Sequence, residues 1–398
     1  MNNIRKKVVI SGLILGLSFS AFNFSFMPNK VIADENKFTN VNEDGYISQP
    51  STDWGLYKQD EKVKGIFVTG HSYGHPTKYN ELLDLANRTE INSMVIDVKD
   101  DAGMLSYKSD VPLAIEAGAN EVVIMNDRDF FSKRMKEIID NDVYPIARIV
   151  TFKDKVIGSA RPDLAIKNKS GGVWRDNKGN AWLNPYNKDS WEYPIQLAEE
   201  AALMGFKEIQ FDYVRFPTDG DRGNIDYGQA GKDKSKADAI KEFLDYARER
   251  LHDKGVVVSA DVFGDIIAVK GDSTIGQQLE LLGANTDILS PMVYPSHYGL
   301  GFYGVDYPDT KPYEIVNKAM DQAVERLEII PKEERAKIRP WLQDFSAPWL
   351  KSAYGSNYIT YGPEQVRAQI KATYDAGLEE WILWNAANRY TEGALEKE

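Results

Sequence analysis

The chain contains no cysteine in its 398 residues. It can therefore form no disulfide, no thiolate metal site and no cysteine nucleophile, and it cannot be anchored through a lipidated cysteine. The fold must be stabilised by its hydrophobic core alone. A chain of this length with 42% hydrophobic residues can bury a large core.

Basic residues are fewer than acidic residues in this chain. Lys and Arg number 48 against 60 Asp and Glu, which gives a formal net charge of −12. Broad attraction to nucleic acid or to anionic lipid is therefore disfavoured, and we expect no nucleic-acid partner. The sequence also lacks a phosphate-binding loop, a G-x-S-x-G elbow and a dinucleotide-binding fingerprint, so it predicts no cofactor.

Long apolar runs are missing except near the N-terminus. There, three basic residues at positions 5–7 precede an apolar stretch at 8–22, and residues 31–33 form a V-x-A pattern. This order is typical of a cleaved signal peptide, whereas a membrane anchor needs about 20 apolar residues. We expect residues 1–33 to be removed and the mature chain to be secreted or cell-wall associated, without stable membrane insertion. An uncleaved anchor is the alternative.

The rest of the chain has the pattern of an α/β protein. Residues 34–62 are polar and are interpreted as a linker or an ordered N-terminal arm. From Lys64 onward, short apolar runs alternate with amphipathic stretches of helical spacing, which predicts a parallel sheet. The predicted strands are 64–70, 93–99, 144–151, 206–217, 256–264, 287–298, 338–345 and 380–385.

Eight strand–helix units favour a closed barrel over an open doubly wound sheet, whose glycine-rich first turn is missing here. The predicted fold class is α/β, with a single (β/α)8 TIM barrel over residues 63–398. Long loops are expected after strands 2 and 3, from 100 to 128 and from 152 to 189. Four glycines are predicted to end helices in the left-handed conformation: Gly205, Gly255, Gly283 and Gly377.

Polar residues inside apolar strands locate a candidate site. Side chains alternate across a strand, so in a barrel a polar set that interrupts an apolar strand points towards the axis. This directs Gln210 and Asp212 inward from strand 4, and Ser259 and Asp261 from strand 5. Buried charges are costly unless paired, so they indicate either a site or an ion-pair network. The same alternation directs inward His71, Asp97, Lys99, Arg148, Tyr294, Arg339 and Gln343.

Asp212 and Asp261 are the candidate catalytic pair. Two carboxyl groups are the minimum for cleaving a glycosidic bond, since one donates a proton and the other attacks or activates water. Adjacent strands lie about 4.8 Å apart, which permits the separation of about 5 Å that is typical of a retaining mechanism. In the second long loop, Trp174 and Trp182 are candidates for stacking on sugar rings. Alternatively, they fill the core of that loop.

A metal-dependent hydrolase is the alternative chemistry. His71 and His75 follow strand 1, but the chain has only two other histidines, which disfavours a three-histidine zinc site. Asp97, Asp100 and Asp101 could hold a hard cation, although a solvated acidic loop is the simpler interpretation. We therefore predict no metal.

Six segments taken together resemble a known family, the glycoside hydrolase barrel family of secreted bacterial proteins. That family belongs to the wider amylase-like group of (β/α)8 glycosidases, and the similarity covers about residues 62–390. The segments are KGIFVTGHS, VIDVKDDAG, ARIVTFKD, FDYVRFPTDG, SADVFG and PMVYPSHY.

The resemblance implies roles for the two aspartates. In the amylase-like pattern a strand-4 Asp is the nucleophile and a strand-5 carboxylic acid is the acid/base, which by position are Asp212 and Asp261. The sequence departs from the pattern at Gln210, where amylases have Arg, and Arg215 lies three residues after the nucleophile instead. The strand-5 acid is Asp where amylases use Glu.

We therefore expect a glycoside hydrolase that cleaves a cell-wall or extracellular polysaccharide through two carboxyl groups, with a retaining mechanism favoured. A non-catalytic glycan-binding barrel and a metal-dependent carbohydrate deacetylase are the alternatives. The expected substrate-binding residues are His71, Asp97, Arg148, Trp174, Trp182, Arg215, Tyr294 and Gln343.

Overall fold

The computed structural model describes residues 62–397. The predicted signal peptide (1–33) and N-terminal arm (34–62) lie outside the described residues, apart from Lys62. The described chain contains the eight strands of a barrel: β1 Lys64–Val68, β2 Ser93–Lys99, β3 Tyr144–Val150, β4 Glu208–Asp212, β5 Val257–Phe263, β6 Ile288–Met292, β7 Trp341–Gln343 and β8 Trp381–Trp384.

The strands follow one another around the barrel in chain order. Each strand from β1 to β5 pairs in parallel with the next, and β8 pairs with both β1 and β7. The ring closes where Trp341 of β7 pairs with Met292 of β6, next to a short strand, Lys337–Ile338, that also pairs with β6. The predicted (β/α)8 barrel is confirmed.

Seven helices connect the strands: α1 Pro76–Arg88, α2 Arg128–Asp140, α3 Glu192–Leu203, α4 Lys236–His252, α5 Leu279–Gly283, α6 Pro312–Leu327 and α7 Pro363–Asp375. Within the described chain, a single 3₁₀ turn, Glu392–Ala394, follows β8. None of the described helices is long and apolar enough to cross a membrane. In the described chain, further short helices lie within the connections, at Gly70–Gly74, Pro112–Glu116, Lys155–Ala160, Ala230–Asp233 and Lys351–Tyr354.

Helix α4 shows how the sequence sets these elements. The Ser235 side chain accepts a hydrogen bond from the Asp238 amide and so caps the N-terminus. Apolar residues at helical spacing then form the face that packs on the strands. The predicted members of this face are all buried: Ile240, Phe243, Leu244, Ala247 and Leu251.

Three of the four glycines that were predicted to end helices have positive φ: Gly205 (102°), Gly255 (71°) and Gly377 (79°). The prediction for Gly283 is wrong. Gly283 is the last residue of α5, and a Cβ there would lie 2.6 Å from a methyl carbon of Leu327 on α6. The close approach of two helices, and not a left-handed backbone, explains this glycine.

An ionic network closes the N-terminal end of the barrel. Arg339 is fully buried; its Nε donates to Glu380 at 2.7 Å and its Nη1 donates to both oxygens of Glu208 at 2.8 and 2.9 Å. Above it, a small apolar cluster fills the barrel interior. Its members are Val63, Phe67, Val95, Tyr144, Ile146, Tyr294, Trp341 and Ile382.

Long connections follow β2 and β3, at residues 100–127 and 151–191. The connection after β3 carries a short strand, Lys167–Asn168, that pairs antiparallel with Ile225–Asp226 from the connection after β4. Both connections leave the C-terminal ends of their strands, which is the end where barrel enzymes carry their sites.

Candidate active site

Arg148 of β3 lies at the centre of a charged cluster at this end of the barrel. Its Nη1 donates to Asp97 of β2 at 2.5 Å, and its Nε donates to Asp212 of β4 at 3.0 Å. The guanidinium carbon lies 5.4 Å from the ring centre of Phe67 and 5.5 Å from that of Trp384. The barrel interior therefore brings together Asp97, Arg148 and Asp212, three of the charged residues that strand alternation directed inward.

The Asp212 carboxylate is held through both of its oxygens. Its Oδ1 accepts the backbone N–H of Tyr213 at 2.6 Å, and its Oδ2 accepts both Nε and Nη2 of Arg148. Tyr213 has a φ of 49°, a left-handed conformation that is uncommon for a tyrosine. This strained residue ends β4 and directs its amide at the carboxylate; strain of this kind concentrates at functional sites.

Asp261 lies beside Asp212 on the neighbouring strand. The β4–β5 register pairs Phe211 with Ala260, so the next residues along, Asp212 and Asp261, are neighbours across the sheet. Adjacent strands lie about 4.8 Å apart. Both carboxyl groups are thus presented side by side near the ends of their strands.

The surroundings of Asp261 favour its neutral form. It is 1% exposed, and its Oδ1 accepts the indole N–H of Trp341 at 2.6 Å. Burial raises the pKa of Asp261 well above its usual range, and the negative charge of Asp212 raises it further, against the opposing effects of Trp341 and Arg148. These surroundings favour the protonated form of Asp261, next to an Asp212 side chain that is bonded to Arg148.

Two further candidates border this pair. Burial raises the pKa of Asp97 to about 7, although the Arg148 charge opposes the shift. Burial, followed by the charges of Asp261 and Asp212, raises the pKa of Tyr294 well above its usual range. Tyr294 is 6% exposed and keeps its phenol neutral beside the pair, where it can donate a hydrogen bond.

Arg215 is placed between aromatic rings. Its guanidinium carbon lies 5.2 Å from the ring centre of Trp182, 4.8 Å from that of Tyr213 and 4.5 Å from that of Phe263. Its Nη1 donates to the carbonyl of Phe216 at 3.0 Å. Burial lowers the pKa of Arg215, which indicates that nearby negative charge does not fully compensate the cation.

The two tryptophans of the β3 connection are buried. Trp174 is 3% exposed and donates its indole N–H to the Asp221 carbonyl, while Trp182 is 2% exposed and donates to the Asp176 carboxylate. This placement favours the alternative in which the rings fill the core of the connection. Direct stacking on sugar stays a prediction for both residues.

His71 and Gln343 lie apart from the charged cluster. His71 is exposed on the helical turn Gly70–Gly74 after β1. Gln343 is fully buried; its amide donates to Asp309 at 3.0 Å and its oxygen accepts the Ser296 amide at 3.1 Å. Gln343 thus ties β7 to the connection after β6. Substrate contact by His71 or Gln343 stays a prediction.

Sequence reasoning missed several aromatic residues at the site. Trp384 ends β8, and its ring stacks on that of Phe67 at 4.1 Å. A second group, which we call the aromatic rim, lies on the connections after β6 and β7, and Trp349 within it is 41% exposed. Strand alternation applied to W-I-L-W would have found Trp384, since Ile382 already faces inward. The rim comprises Tyr294, which the sequence did predict as a site residue, together with His297, Phe345 and Trp349.

The acidic segment after β2 is bonded within the protein. Asp100 accepts the amides of Ala102 and Met104, and Asp101 pairs with Lys153 at 2.6 Å. In the part of the chain that the structure describes, no group of three or more His, Asp or Glu side chains has the arrangement of a metal site.

The inward prediction for Lys99 is wrong. A register shift in β2 between Asp97 and Lys99 pairs Lys99 with the outward-facing Ile149. Its ammonium group instead bonds to Asp154 at 2.5 Å, with both side chains fully buried. One β-bulge thus removes a cation from the barrel interior.

A family profile described as "Putative glycosyl hydrolase domain" matches residues 65–390. The chain belongs to this family. The match spans the whole barrel, from β1 to the segment after β8, and so includes every residue of the charged cluster. No curated protein matches the chain.

The chain is also similar to solved structures, of which the Bordetella and Vibrio proteins described below share its barrel fold. A hypothetical protein from Ruminiclostridium thermocellum is 45% identical, covering 50% of this chain and 97% of its own, with a TM-score of 0.44. The PgaB (BpsB) glycoside hydrolase domain from Bordetella bronchiseptica is 12% identical, covering 82% and 95%, with a TM-score of 0.58. A GH20 exo-β-N-acetylglucosaminidase from Vibrio harveyi in complex with N-acetylglucosamine is 12% identical, covering 82% and 50%, with a TM-score of 0.50.

Proposed function

We propose that the chain hydrolyses O-glycosidic bonds, with Asp261 as the acid/base and Asp212 as the nucleophile. The observation that carries this proposal is the contrast between two adjacent carboxyl groups. Asp261 is almost fully buried, which raises its pKa and favours its protonated form, whereas Asp212 accepts N–H donors on both oxygens, including an arginine. Environments that drive the protonation of two neighbouring carboxyl groups apart are typical of an acid and its partner.

In the proposed reaction, Asp261 donates its proton to the glycosidic oxygen as the bond to the sugar breaks. Asp212 attacks the anomeric carbon from the opposite face and forms a glycosyl-enzyme ester. Asp261, now ionised, takes a proton from a water molecule as the oxygen of that water attacks the anomeric carbon and breaks its bond to Asp212, which releases the sugar and restores both groups. The placement of the pair on neighbouring strands supports this retaining course. Proton NMR of the first-formed product tests it, because retention and inversion give opposite anomers at early times.

A non-catalytic glycan-binding barrel is the second candidate. The contacts on both Asp212 oxygens favour it, since hydrogen bonds from Arg148 and from the Tyr213 amide stabilise the carboxylate and so lower its nucleophilicity. Incubation with a panel of wall-derived and extracellular polysaccharides separates the two. An enzyme releases new reducing ends in proportion to time and protein, whereas a binding protein retains the glycan and releases none.

We also propose that the chain is exported and acts on a cell-wall or extracellular polysaccharide. The basic residues at 5–7, the apolar stretch at 8–22 and the V-x-A pattern support export. Mass spectrometry of protein recovered from the culture medium and the wall tests this. We expect a mature N-terminus at Asp34, and a chain that keeps residues 1–33 and sediments with membranes would contradict it.

A further inference from the structure

One buried cation has no role in the proposed mechanism. Arg215 is 5% exposed and forms no ion pair with any residue between 62 and 397. Nη1 donates to the Phe216 carbonyl, whereas Nε and Nη2 donate to no described residue and are not sealed from solvent. Arginine stays charged in proteins, and a buried charge without a partner is costly. The free donors are therefore available to a partner that arrives from outside.

The position of this cation ties it to the catalytic pair. Tyr213, whose ring faces the guanidinium, directly follows Asp212. Phe263, which faces it at 4.5 Å, is the last residue of β5, the strand that carries Asp261. The guanidinium is thus held between the C-terminal ends of β4 and β5, and the ring faces fix its plane.

The two arginines inside the barrel, Arg148 and Arg339, differ from Arg215 in having ion-pair partners within the protein. Arg148 and Arg339 each bind two carboxylates of the protein. The negative charges that act on Arg215, among them Asp212 and Asp219, lie beyond ion-pair distance. Asp212 is in addition already bonded to Arg148.

Arg134 on α2 provides a matched comparison. It is also 5% exposed and without an ion pair among the described residues, and it lies 4.3 Å from the ring centre of Tyr79 and 4.2 Å from that of Phe130. Aromatic faces alone can therefore hold a buried arginine in this protein. Arg134 sits on the helical layer outside the barrel, so it shares the packing of Arg215 without its proximity to the catalytic pair.

We propose that Arg215 forms an anionic subsite beside the catalytic pair and that the substrate is a glycan whose sugars carry a carboxylate, sulfate or phosphate group. This inference rests on the proposed function. Two donors on one planar guanidinium match two oxygens of such a group. The chain as a whole is acidic, with a net charge of −12, so attraction for an anionic sugar has to come from a local contact.

Binding of four small probes to the full-length protein tests the subsite: D-glucuronate, glucose 6-sulfate, glucose 6-phosphate and D-glucose, at constant ionic strength, by ligand-observed NMR. We expect at least one anionic sugar to bind about tenfold or more tightly than glucose, because charge-assisted hydrogen bonds are the strong ones. The ranking among the three identifies the group. Equal or undetectable binding of all four probes would overturn the proposal.

Single substitutions test whether the preference for an anionic sugar over glucose depends on Arg215. Arg215→Gln should abolish the preference for the anionic sugar, Arg215→Lys should keep part of it, and Arg134→Gln should leave it intact. A preference that survives Arg215→Gln would also overturn the proposal. If Arg215→Gln fails to fold, the wild-type comparison and Arg215→Lys still decide.

Binding and turnover separate this inference from the proposed function. If anionic sugars bind through Arg215 but no glycan is cleaved, the proposed function fails and the subsite stands. If the protein cleaves neutral glycans, and Arg215→Gln does not alter its choice between neutral and anionic ones, the subsite fails and the function stands.

Discussion

Asp261 illustrates how individual contacts set the protonation of a carboxyl group. Burial favours the protonated form and raises the pKa of Asp261. The indole N–H of Trp341 favours the ionised form and so reduces this rise in pKa. In the proposed mechanism Asp261 must be protonated to act as the acid. Activity is therefore lost as the pH rises through the pKa of Asp261.

Trp341→Phe removes this N–H while keeping an aromatic ring in the barrel. We expect the pKa of Asp261 to rise, which moves the alkaline limb of kcat/KM against pH to higher pH by up to about one unit. Trp384→Phe is the control, since Trp384 lies over Arg148 and gives Asp261 no hydrogen bond. An alkaline limb that stays in place or moves to lower pH in Trp341→Phe would contradict the acid role.

For individual residues, the sequence predicted which side chains lie together inside the barrel, but not the backbone features that position them. Alternation correctly directed Asp97, Arg148 and Asp212 into one cluster, because the apolar pattern of each strand fixes its two faces. It failed at Lys99, where a bulge reverses the face, and it could not reveal the positive φ of Tyr213. Both features depend on contacts with other strands and loops.

The buried network of Arg339 links the start of β4 to the segments that precede β7 and β8, and its removal tests how much the N-terminal end of the barrel relies on it. Arg339→Met leaves Glu208 buried without its cation and takes from Glu380 the nearer of its two cations, which should lower the free energy of unfolding by about 3–5 kcal/mol. The control is Lys136→Met, which breaks an exposed pair with Asp140 and should cost less than about 1 kcal/mol. Denaturant unfolding measures both, and equal losses would show that the network contributes little.

The β3 connection provides a second test, on the role of its tryptophans. Trp174→Ala should lower the free energy of unfolding by about 3–5 kcal/mol, because the ring is buried. Trp349→Ala, on the exposed aromatic rim, should instead leave stability nearly unchanged and weaken glycan binding by about 1–3 kcal/mol. Thermal unfolding and binding are measured on both variants. The opposite pattern would show that Trp174 contacts sugar directly.

The elements themselves were largely predictable, and their internal detail was not. All eight strands and both long connections were located from apolar runs and helical spacing. The contents of the connections were not, because the pairing of Lys167–Asn168 with Ile225–Asp226 joins segments far apart in the chain and involves only two residues from each. The prediction for Gly283 was wrong for a related reason, because the need for glycine at this position comes from the close contact with helix α6 and not from its own backbone conformation.

The closed barrel places polar residues that are far apart in the sequence next to one another in a single site. The barrel closes where Trp341 of β7 pairs with Met292 of β6. Closure places β7 and β8 in one ring with β3, β4 and β5, so the charged residues of the strands and the surrounding aromatic rings lie together at one end of the barrel. The apolar cluster fills the barrel interior beneath this end, and the low dielectric constant of such surroundings strengthens the buried electrostatic contacts of the site. The acid and its partner therefore depend on the closed fold.

The most direct test of this account is the turnover of Asp212→Asn and Asp261→Asn on a glycan that the wild-type protein cleaves, with thermal unfolding as the check on folding. Asp212→Asn should lose nearly all turnover on every substrate, because the amide cannot form the glycosyl-enzyme ester. Asp261→Asn should lose roughly 10²- to 10⁴-fold, and less on substrates with an activated leaving group, which need little protonation. Near wild-type turnover by both folded variants would contradict the catalytic assignment.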